Sequence, residues 1–327
     1  MAELIQLDVL PSLPISPVST GGPRVVNRRI PEWLTIKLPK RQGIEEVEGL
    51  IRKAGLVTVC EEARCPNLGE CWSKKTATFM ILGDTCTRAC RFCAVKTGKG
   101  GPLDPDEPRK VAESAAALGL KHTVVTSVNR DELPDGGSRH FAETIGWLKT
   151  LLPETIVEVL TPDFLGNKAN IQNVVDAKPH IFNHNIETVP RLYRQVRPQA
   201  RYARSLQFLQ YVKASDPEIY TKSGFMVGLG ETKDEVIALL EDLKAHDVDA
   251  VTIGQYLKPG KGYLDVVEYV HPDIFAEYKS LGEAMGFLFV ASGPFVRSSY
   301  NAKEFSDMFL AKQAASKLAA FPTNPHE

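Results

Sequence analysis

The chain has 327 residues, of which 43% are hydrophobic and 24% charged, an ordinary balance for a globular protein of one large or two smaller domains. Its formal net charge of -1 argues against a nucleic acid or an anionic membrane as the main partner. No run of about 18 apolar residues occurs, so no membrane-spanning helix is expected. The first residues do not resemble a secretory signal, which favours a cytoplasmic location.

Four regions follow one another along the chain. Residues 1–40 are rich in proline and predict an extended arm. Residues 41–75, with a helical pattern at 44–56, predict an extension before the main domain. The main domain spans residues 76–292, and a C-terminal segment at 293–327 ends in a predicted helix.

Short apolar runs alternate with helical patterns through the main domain. The runs lie at 79–82, 123–127, 155–160, 180–186, 224–229 and 249–257, with a further run at 287–291. The helical patterns lie at 107–118, 138–151, 188–196, 232–245 and 272–285. Buried strands that alternate with helices predict βαβ units and a parallel sheet. Six such units are too few for a closed eight-stranded barrel, so we expect an α/β fold, a partial (β/α)6 TIM-like barrel.

All six cysteines lie within 34 positions, which is unusual for disulfides and typical of metal or redox sites in an intracellular chain. The loop triad, Cys86, Cys90 and Cys93, has the spacing C-x3-C-x2-C. Three thiolates on a short loop can hold three corners of a [4Fe–4S] cluster and leave one iron open for a cofactor. Structural zinc is the alternative, but it usually needs paired C-x2-C units, and only one is present.

The upstream triad, Cys60, Cys65 and Cys71, has the spacing C-x4-C-x5-C. Alone, this spacing is only a moderate indication of a metal site. Beside the loop triad it suggests that the chain holds a second iron–sulfur cluster.

Several motifs resemble the lipoyl synthase family of the radical S-adenosylmethionine (SAM) superfamily. They are CEEARCPNLGECW at 60–72 and CTRACRFC at 86–93, with Phe92 before the last cysteine, and TSVNRDELPDGG at 126–137, VRP at 196–198 and GPFVRSSY at 293–300. The resemblance covers nearly the whole chain apart from the arm and the C-terminal tail.

The resemblance implies two [4Fe–4S] clusters and SAM as cofactors, in a radical SAM barrel. The loop triad would hold the cluster that binds SAM, and the upstream triad would hold an auxiliary cluster. A serine oxygen of the RSSY motif would be the fourth auxiliary ligand, assigned to Ser299 with Ser298 as the alternative. Because an alkoxide suits iron less well than a thiolate does, this corner should be released most easily and open the cluster for sulfur donation.

The resemblance also implies the reaction, that of a sulfurtransferase of lipoate biosynthesis and protein lipoylation. Radicals derived from SAM would abstract hydrogen at C6 and C8 of an octanoyl-lysine, and two sulfur atoms from the auxiliary cluster would enter to give lipoyl-lysine. Unactivated C–H bonds offer no acidity to a general base, so the cofactor must supply a radical.

The implied partners are octanoylated lipoyl carrier domains, namely dehydrogenase E2 subunits and the glycine cleavage H protein. An electron donor and an iron–sulfur carrier protein that rebuilds the auxiliary cluster are implied as well.

Three alternatives stay open at this point. Another radical SAM sulfur-inserting enzyme, similar to biotin synthase, would share the loop triad but would not need the upstream triad together with RSSY. A non-catalytic two-cluster electron carrier would usually bury fully ligated clusters in a small domain. A zinc-stabilised interaction module would contain no iron.

Ligands of parallel α/β folds bind at the carboxyl ends of the strands, which predicts where SAM would be contacted. The candidate contacts are Phe92, Ser127, Asn129, Arg130, Asn183, Gly228 and Gly230. The two glycines would allow the backbone to approach a ligand closely. Hydrogen bonding within loops is the alternative role for each polar residue.

Two further patterns have both an ordinary and a functional interpretation. Five arginines recur without an intervening acid, at Arg191, Arg194, Arg197, Arg201 and Arg204. They form either a solvated face or a docking surface for an acidic carrier domain. His180 and His184 are four residues apart but in a predicted strand, which favours ordinary polar roles over metal binding.

Overall fold

A computed structural model of the protein describes residues 30–35, 41–74 and 76–299. Most of the predicted arm and the predicted terminal helix lie outside the described residues. At Glu32–Leu34 a single 3-10 turn buries Leu34 and sets the ring of Trp33 edge-on to His271, with ring centroids 4.9 Å apart. Within the described ranges, no helix is long and apolar enough to cross a membrane.

The predicted extension consists of three helices and a short strand. They are α1 (Arg41–Ala54), β1 (Val57–Thr58), α2 (Val59–Glu62) and α3 (Leu68–Ser73). Val47 and Ile51 of α1 lie four positions apart, so both fall on one helix face, and both are buried. Gly55 ends this helix in the left-handed conformation, at φ 66°, as glycine commonly does after a helix.

An eight-stranded sheet forms the centre of the molecule. After β1 its strands are β2 (Thr78–Ile81), β5 (His122–Ser127), β6 (Ile156–Leu160), β7 (Ile181–Asn183), β8 (Tyr220–Val227), β9 (Ala250–Gln255) and β10 (Phe289–Gly293), in that spatial order. Every neighbouring pair is parallel except β1 with β2. Two more short strands, β3 (Thr85–Cys86) and β4 (Lys96–Thr97), pair with each other.

Helices connect the strands and cover the sheet. They are α4 (Glu107–Ala117), α5 (Ser138–Leu151), α6 (Lys168–Asp176), α7 (Tyr193–Val196), α8 (Tyr202–Ser215), α9 (Lys233–Ala245) and α10 (Pro272–Ala284). Strand residues such as Val157 and Phe182 belong to one buried core with helix residues such as Ile145 and Leu209. Each fully buried side chain of this kind contributes about 1.5–3 kcal/mol, so the sheet and its helices stabilise each other.

The predicted α/β class and open parallel sheet are confirmed, with three differences of detail. The run at 287–291 becomes β10, a seventh parallel strand beyond the six predicted units. The predicted strand at 180–186 ends at Asn183, because the chain then turns and Glu187 adopts a positive φ of 67°. Helices α6 and α8 were not among the predicted segments.

A cluster of three buried ionisable side chains lies in the sheet interior, below the carboxyl edge of the sheet. Lys222 donates a 2.9 Å hydrogen bond to Glu158, and His122 lies 3.1 Å from the same carboxylate. Burial alone would raise the pKa of Glu158, but Lys222 and His122 outweigh it and lower that pKa to about 2. The group is therefore an ion pair, whose partners compensate each other for lost hydration.

Candidate functional site

Two adjoining cavities lie at the carboxyl ends of the strands. The larger, of about 560 Å³, is lined by the ends of β5, β6, β8 and β9, by both cysteine segments and by residues 296–299. This volume is within the range of cofactor and ligand sites. The smaller cavity is lined by the whole upstream triad together with Arg297 and Ser299. Cys60, Cys65, Arg297 and Ser299 line both cavities, so the two spaces share a wall.

The loop triad lies entirely at the large cavity. Cys86 ends β3, and its sulfur accepts backbone hydrogen bonds from Arg88, at 3.4 Å, and from Asn129, at 3.3 Å. These two amide donors fix the position of the Cys86 sulfur at the wall of the large cavity.

The loop between Cys86 and Cys90 is anchored through Arg88, whose side chain is 2% exposed. Its guanidinium donates at 2.7 Å to Asp131 and at 2.6 Å to Asp163. Burial alone would lower the pKa of Arg88, but the two carboxylates outweigh it and raise that pKa. Because ion pairs with several hydrogen bonds have specific geometry, this contact fixes the loop against the barrel.

Burial also governs the protonation of the thiols. It raises the pKa of Cys90 and of Cys60, and it raises the pKa of Cys93 and of Cys71 to about 12. In the protein without metal these four side chains are therefore neutral thiols. Iron binding must release their protons, which couples metal loading to pH.

Local backbone structure brings the upstream triad together. Cys60 lies in α2, and the amide of Cys65 donates to its carbonyl at 3.0 Å. Arg64, at a positive φ of 51°, turns the chain between them. Cys71 lies in α3, where its amide donates to the Asn67 carbonyl at 2.9 Å. Two short helices and one left-handed turn therefore suffice to gather three thiols around one space.

The C-terminal segment supplies a hydroxyl to that space. Ser299 lines the small cavity with the upstream triad, whereas Ser298 lines only the large one. The Asn67 side-chain amide donates to the Phe295 carbonyl at 2.7 Å and so ties the segment to the upstream triad. Of the two candidate serines, the geometry favours Ser299.

The donors present fit iron–sulfur clusters by their chemistry. The loop triad lines the large cavity and the upstream triad lines the small one, and three cysteine sulfurs at each place are soft donors of the kind that usually hold such clusters. In the part of the chain that the structure describes, no three His, Cys, Asp or Glu side chains converge closely enough for a single ion. A cluster spreads its ligands over several irons, so it does not require such convergence.

Three predicted SAM contacts do line the large cavity, namely Phe92, Ser127 and Asn129. The hydroxyl of Ser127 and the side-chain oxygen of Asn129 are buried and have no hydrogen-bond partner among the described residues. Leaving such an atom unsatisfied costs about 1–3 kcal/mol, so both are suited to bind a ligand in the cavity.

Two other predicted contacts lie elsewhere. Arg130 is buried and donates to the carbonyls of Leu82, at 2.9 Å, and Gly101, at 2.7 Å. Asn183 points into the charged interior and donates to Glu158 at 3.2 Å. Neither is among the described residues that line the large cavity. The loop-bonding alternative therefore applies to Arg130, and Asn183 belongs to the layer beneath the site.

The predicted glycine contacts have a structural explanation. Gly228 and Gly230 adopt positive φ angles of 96° and 104°. The Glu231 carboxylate accepts from the amides of Gly228, at 2.5 Å, and Leu229, at 3.0 Å. Neither glycine is among the described residues lining the large cavity. They form a turn after β8 rather than a backbone approach to a ligand.

Sequence reasoning missed three side chains that line the large cavity: Asn185, Glu187 and Arg197. Nδ2 of Asn185 donates to Glu187 at 3.1 Å, and Arg197 donates to the Asn185 carbonyl at 2.8 Å. Burial raises the pKa of Glu187. Asn185 lies near the end of the fourth predicted strand, and Arg197 was predicted only as one of a series of arginines.

The five arginines do not form one surface. Arg191 pairs with Glu235 at 2.6 Å, and Arg204 pairs with Asp163 at 2.7 Å. Arg197 is buried at the cavity, whereas Arg191, Arg194 and Arg201 are exposed. A docking role for this series remains a prediction for these three exposed members.

The two histidines have ordinary polar partners. His184 is buried, with 2.9 Å to the Thr161 carbonyl and 3.0 Å to the Ser205 hydroxyl. Burial lowers the pKa of His184 to about 4, so its ring is neutral near pH 7. His180 accepts from the Val157 amide at 3.0 Å. Structural roles account for both.

Residues 80–243 match the Radical SAM superfamily. The fold is also that of SuiB from Streptococcus suis bound to its precursor peptide SuiA, with a TM-score of 0.50, 12% identity and coverage of 77% of this chain and 53% of that one. Fold, cysteine loop and cavity together define a radical SAM enzyme.

Two relatives are considerably closer in sequence. A lipoyl synthase of Rubrobacter xylanophilus is 56% identical over 84% of this chain and 85% of its own. A lipoyl synthase of Caldanaerobacter subterraneus subsp. tengcongensis is 56% identical over 84% of this chain and 96% of its own. The chain belongs to the lipoyl synthase family, whose members are sulfurtransferases.

Proposed function

We propose that the large cavity is the reaction chamber of a sulfur-inserting enzyme, with a cluster site on either side of it. The loop triad would hold the [4Fe–4S] cluster to which SAM binds. The upstream triad and Ser299 would hold the auxiliary cluster. When bound, these groups supply a 5′-deoxyadenosyl radical and the sulfur for insertion, chemistry that amino-acid side chains lack.

One observation carries this proposal. Cys60, Cys65, the loop triad and Ser299 all line the same cavity. A substrate carbon in that cavity would therefore face the source of the radical and the source of the sulfur together. Proximity of this kind turns successive encounters into steps within one complex. The conversion of octanoyl to lipoyl groups on carrier proteins requires that arrangement.

The side chains around the chamber have separable roles. Ser127, Asn129 and Asn185 offer hydrogen bonds for the polar parts of SAM, and Glu187 and Arg197 offer opposite charges. The rest of the lining includes apolar side chains, which suit an octanoyl chain and exclude water: Val59, Met80, Val128, Leu160, Phe225, Leu257 and Val296. Excluding water also protects a radical from side reactions.

The same assignment divides the chain by role. Residues 41–75 would be the auxiliary-cluster extension, 76–292 the radical SAM barrel and 293–327 the segment that brings the serine ligand. The partners would be the octanoylated E2 subunits and glycine cleavage H protein, an electron donor and an iron–sulfur carrier protein.

The test is mass spectrometry of an octanoyl-lysine carrier peptide after anaerobic incubation with reconstituted protein, SAM and a reductant. A gain of two sulfur atoms with a loss of two hydrogens is the expected result. Cleavage of SAM with an unchanged peptide would contradict the substrate while leaving the radical site intact. If a protein loaded with both clusters cleaved no SAM, the catalytic assignment itself would be wrong.

A further inference from the structure

Ser298 and its neighbour Ser299 face different surroundings. The hydroxyl of Ser298 accepts a 2.6 Å hydrogen bond from Nδ2 of Asn185, a residue 113 positions earlier in the chain. Ser298 lines the large cavity, whereas Ser299 also reaches the small cavity of the upstream triad. The two adjacent serines thus connect the two parts of the site.

Two glycines in neighbouring strands make room for this segment. A Cβ atom on Gly224 of β8 would lie 2.6 Å from the Thr252 hydroxyl and 3.3 Å from that of Ser298. A Cβ on Gly254 of β9 would collide with the carbonyl oxygen of Val296. A side chain at Gly254 would displace the segment, and one at Gly224 would crowd Thr252 and Asn185, the partner of Ser298, so the barrel edge leaves room for residues 296–298.

Asn185 stands where this segment meets the large cavity. Its Nδ2 also donates to Glu187 at 3.1 Å, so both of its amide protons have acceptors. Its Oδ1 is buried and lacks a hydrogen-bond partner within the described residues. A ligand that bonds Oδ1 or Glu187 would therefore act on the same amide group that holds Ser298.

We propose that Ser298 is a positioning residue for sulfur insertion, which couples the occupant of the large cavity to the upstream triad through Asn185. Its hydrogen bond seats residues 296–298 on the barrel, and that seat places Ser299 at the auxiliary thiols. The inference rests on the proposed function and deepens it. Because coupling between two binding sites is reciprocal, a change at the upstream triad should alter SAM affinity, just as bound SAM should alter how the upstream triad holds its cluster.

The first test measures SAM cleavage and sulfur insertion together in the reconstituted holoenzyme. Ser298→Ala should keep SAM cleavage within about twofold but lower sulfur insertion about tenfold, the effect of roughly one lost hydrogen bond. The ratio of 5′-deoxyadenosine formed to sulfur inserted therefore rises. Ser292→Ala is the matched control, since the Ser292 hydroxyl donates to the Phe275 carbonyl at 2.7 Å. An unchanged ratio in Ser298→Ala would overturn the proposal.

A second pair of variants isolates the hydroxyl group. Ser298→Thr and Ser298→Val have nearly the same shape, and only the threonine can accept the bond from Asn185. The threonine variant should retain a ratio close to that of the parent, and the valine variant should not. Equal ratios in the two would contradict a role for the hydrogen bond, whether or not Ser298→Ala folds.

The third test measures SAM affinity by anaerobic equilibrium binding without reductant, so that no turnover occurs. Cys65→Ala, which removes an auxiliary ligand, should change SAM affinity at least about fivefold, the lower end of typical couplings. In combination with Ser298→Ala the change should fall below about twofold. An equal change in both backgrounds would rule out coupling through Ser298. Failure of the proposed function would instead appear as a parent protein that forms no lipoyl product.

Discussion

The two cysteine segments differ in how they are held. The loop triad sits on a loop fixed by the buried Arg88, with carboxylates from the ends of two neighbouring βα units. The upstream triad spans two short helices and the turn between them, and Ser299 joins it from a segment more than 220 residues away. The upstream segment packs on the barrel through β1, which pairs with β2, and hydrogen bonds from Asn67 to Phe295 and from Arg64 to Pro259 tie it to later parts of the chain.

This difference suits the two tasks. A cluster that binds SAM repeatedly needs a rigid support, which the ion pairs at the barrel edge provide. The auxiliary cluster proposed for the upstream triad must open to give up sulfur, and a site completed by a serine from a distant segment can open at that corner without disturbing the barrel. Variants that weaken one site and leave the other intact test this difference.

The largest effect is expected from removing one cysteine of each triad. Cys93→Ala should abolish both SAM cleavage and lipoyl formation. Cys65→Ala should abolish lipoyl formation but leave SAM cleavage within about tenfold of the parent, because the loop triad is anchored independently. Quantifying 5′-deoxyadenosine and the lipoyl peptide in one reaction distinguishes them. Normal lipoyl formation by Cys65→Ala would refute the auxiliary site.

Replacing the serine ligand comes next. Ser299→Ala removes the hydroxyl that faces the upstream triad, and we expect sulfur insertion to fall about a hundredfold, or roughly 2.7 kcal/mol. SAM cleavage should continue. Ser280→Ala, at an exposed position of α10, is the control and should match the parent. If Ser298→Ala alone stopped the auxiliary site from holding iron while Ser299→Ala did not, the serine assignment would be reversed.

The anchor of the loop triad predicts a pH-dependent stability. Burial alone would raise the pKa of Asp163, but Arg88 outweighs it and holds that pKa well below the usual range. The carboxylate therefore stabilises the fold above its unfolded pKa of about 3.9, and this contribution is lost as pH falls through the folded value. Asp163→Asn should cost about 3 kcal/mol at pH 7, and this cost should begin to shrink as pH falls below about 4 and continue to shrink down to the folded pKa.

Urea unfolding of the reduced, metal-free protein at several pH values measures this effect. Asp265→Asn is the control, because Asp265 is an exposed carboxylate that pairs with Lys258 at the surface. That variant should leave the unfolding midpoint unchanged. A loss of stability in Asp163→Asn that did not vary with pH would mean that the charge of Asp163 does not stabilise the loop.

The smallest effect is expected from the hydrogen bond that links Asn67, beside the upstream triad, to the C-terminal segment. Asn67→Ala loses the hydrogen bond to the Phe295 carbonyl, worth about 1 kcal/mol, so the segment that carries Ser299 should dissociate more readily. Iron at the auxiliary site should then pass to a chelator about fivefold faster, while iron at the loop triad is unaffected. Asn167→Ala, which removes the cap of α6, is a matched control. If iron left the auxiliary site equally fast in both variants, the hydrogen bond from Asn67 would not be what holds the segment in place.

Much of the fold could be predicted because strand and helix patterns are local. The six predicted strands and the predicted helices recur with small shifts at their ends. Helices α6 and α8 were not among the helical patterns named from the sequence. Strand β7 was predicted too long, since the apolar Ile186 extends the run although the backbone turns after Asn183.

The family and the two groups of thiols proposed to bind metal could be predicted from the amino-acid sequence. Each triad spans no more than twelve residues, so the backbone keeps its thiols close whatever the rest of the chain does. Three-dimensional packing was needed to place Ser299 at the small cavity, to bring Asn185, Glu187 and Arg197 to the large cavity and to put Asn183 in the layer beneath it. These placements depend on which residues face inward at the sheet edge and on contacts between segments over 100 residues apart. Tertiary packing determines both, and the spacing of residues along the chain does not.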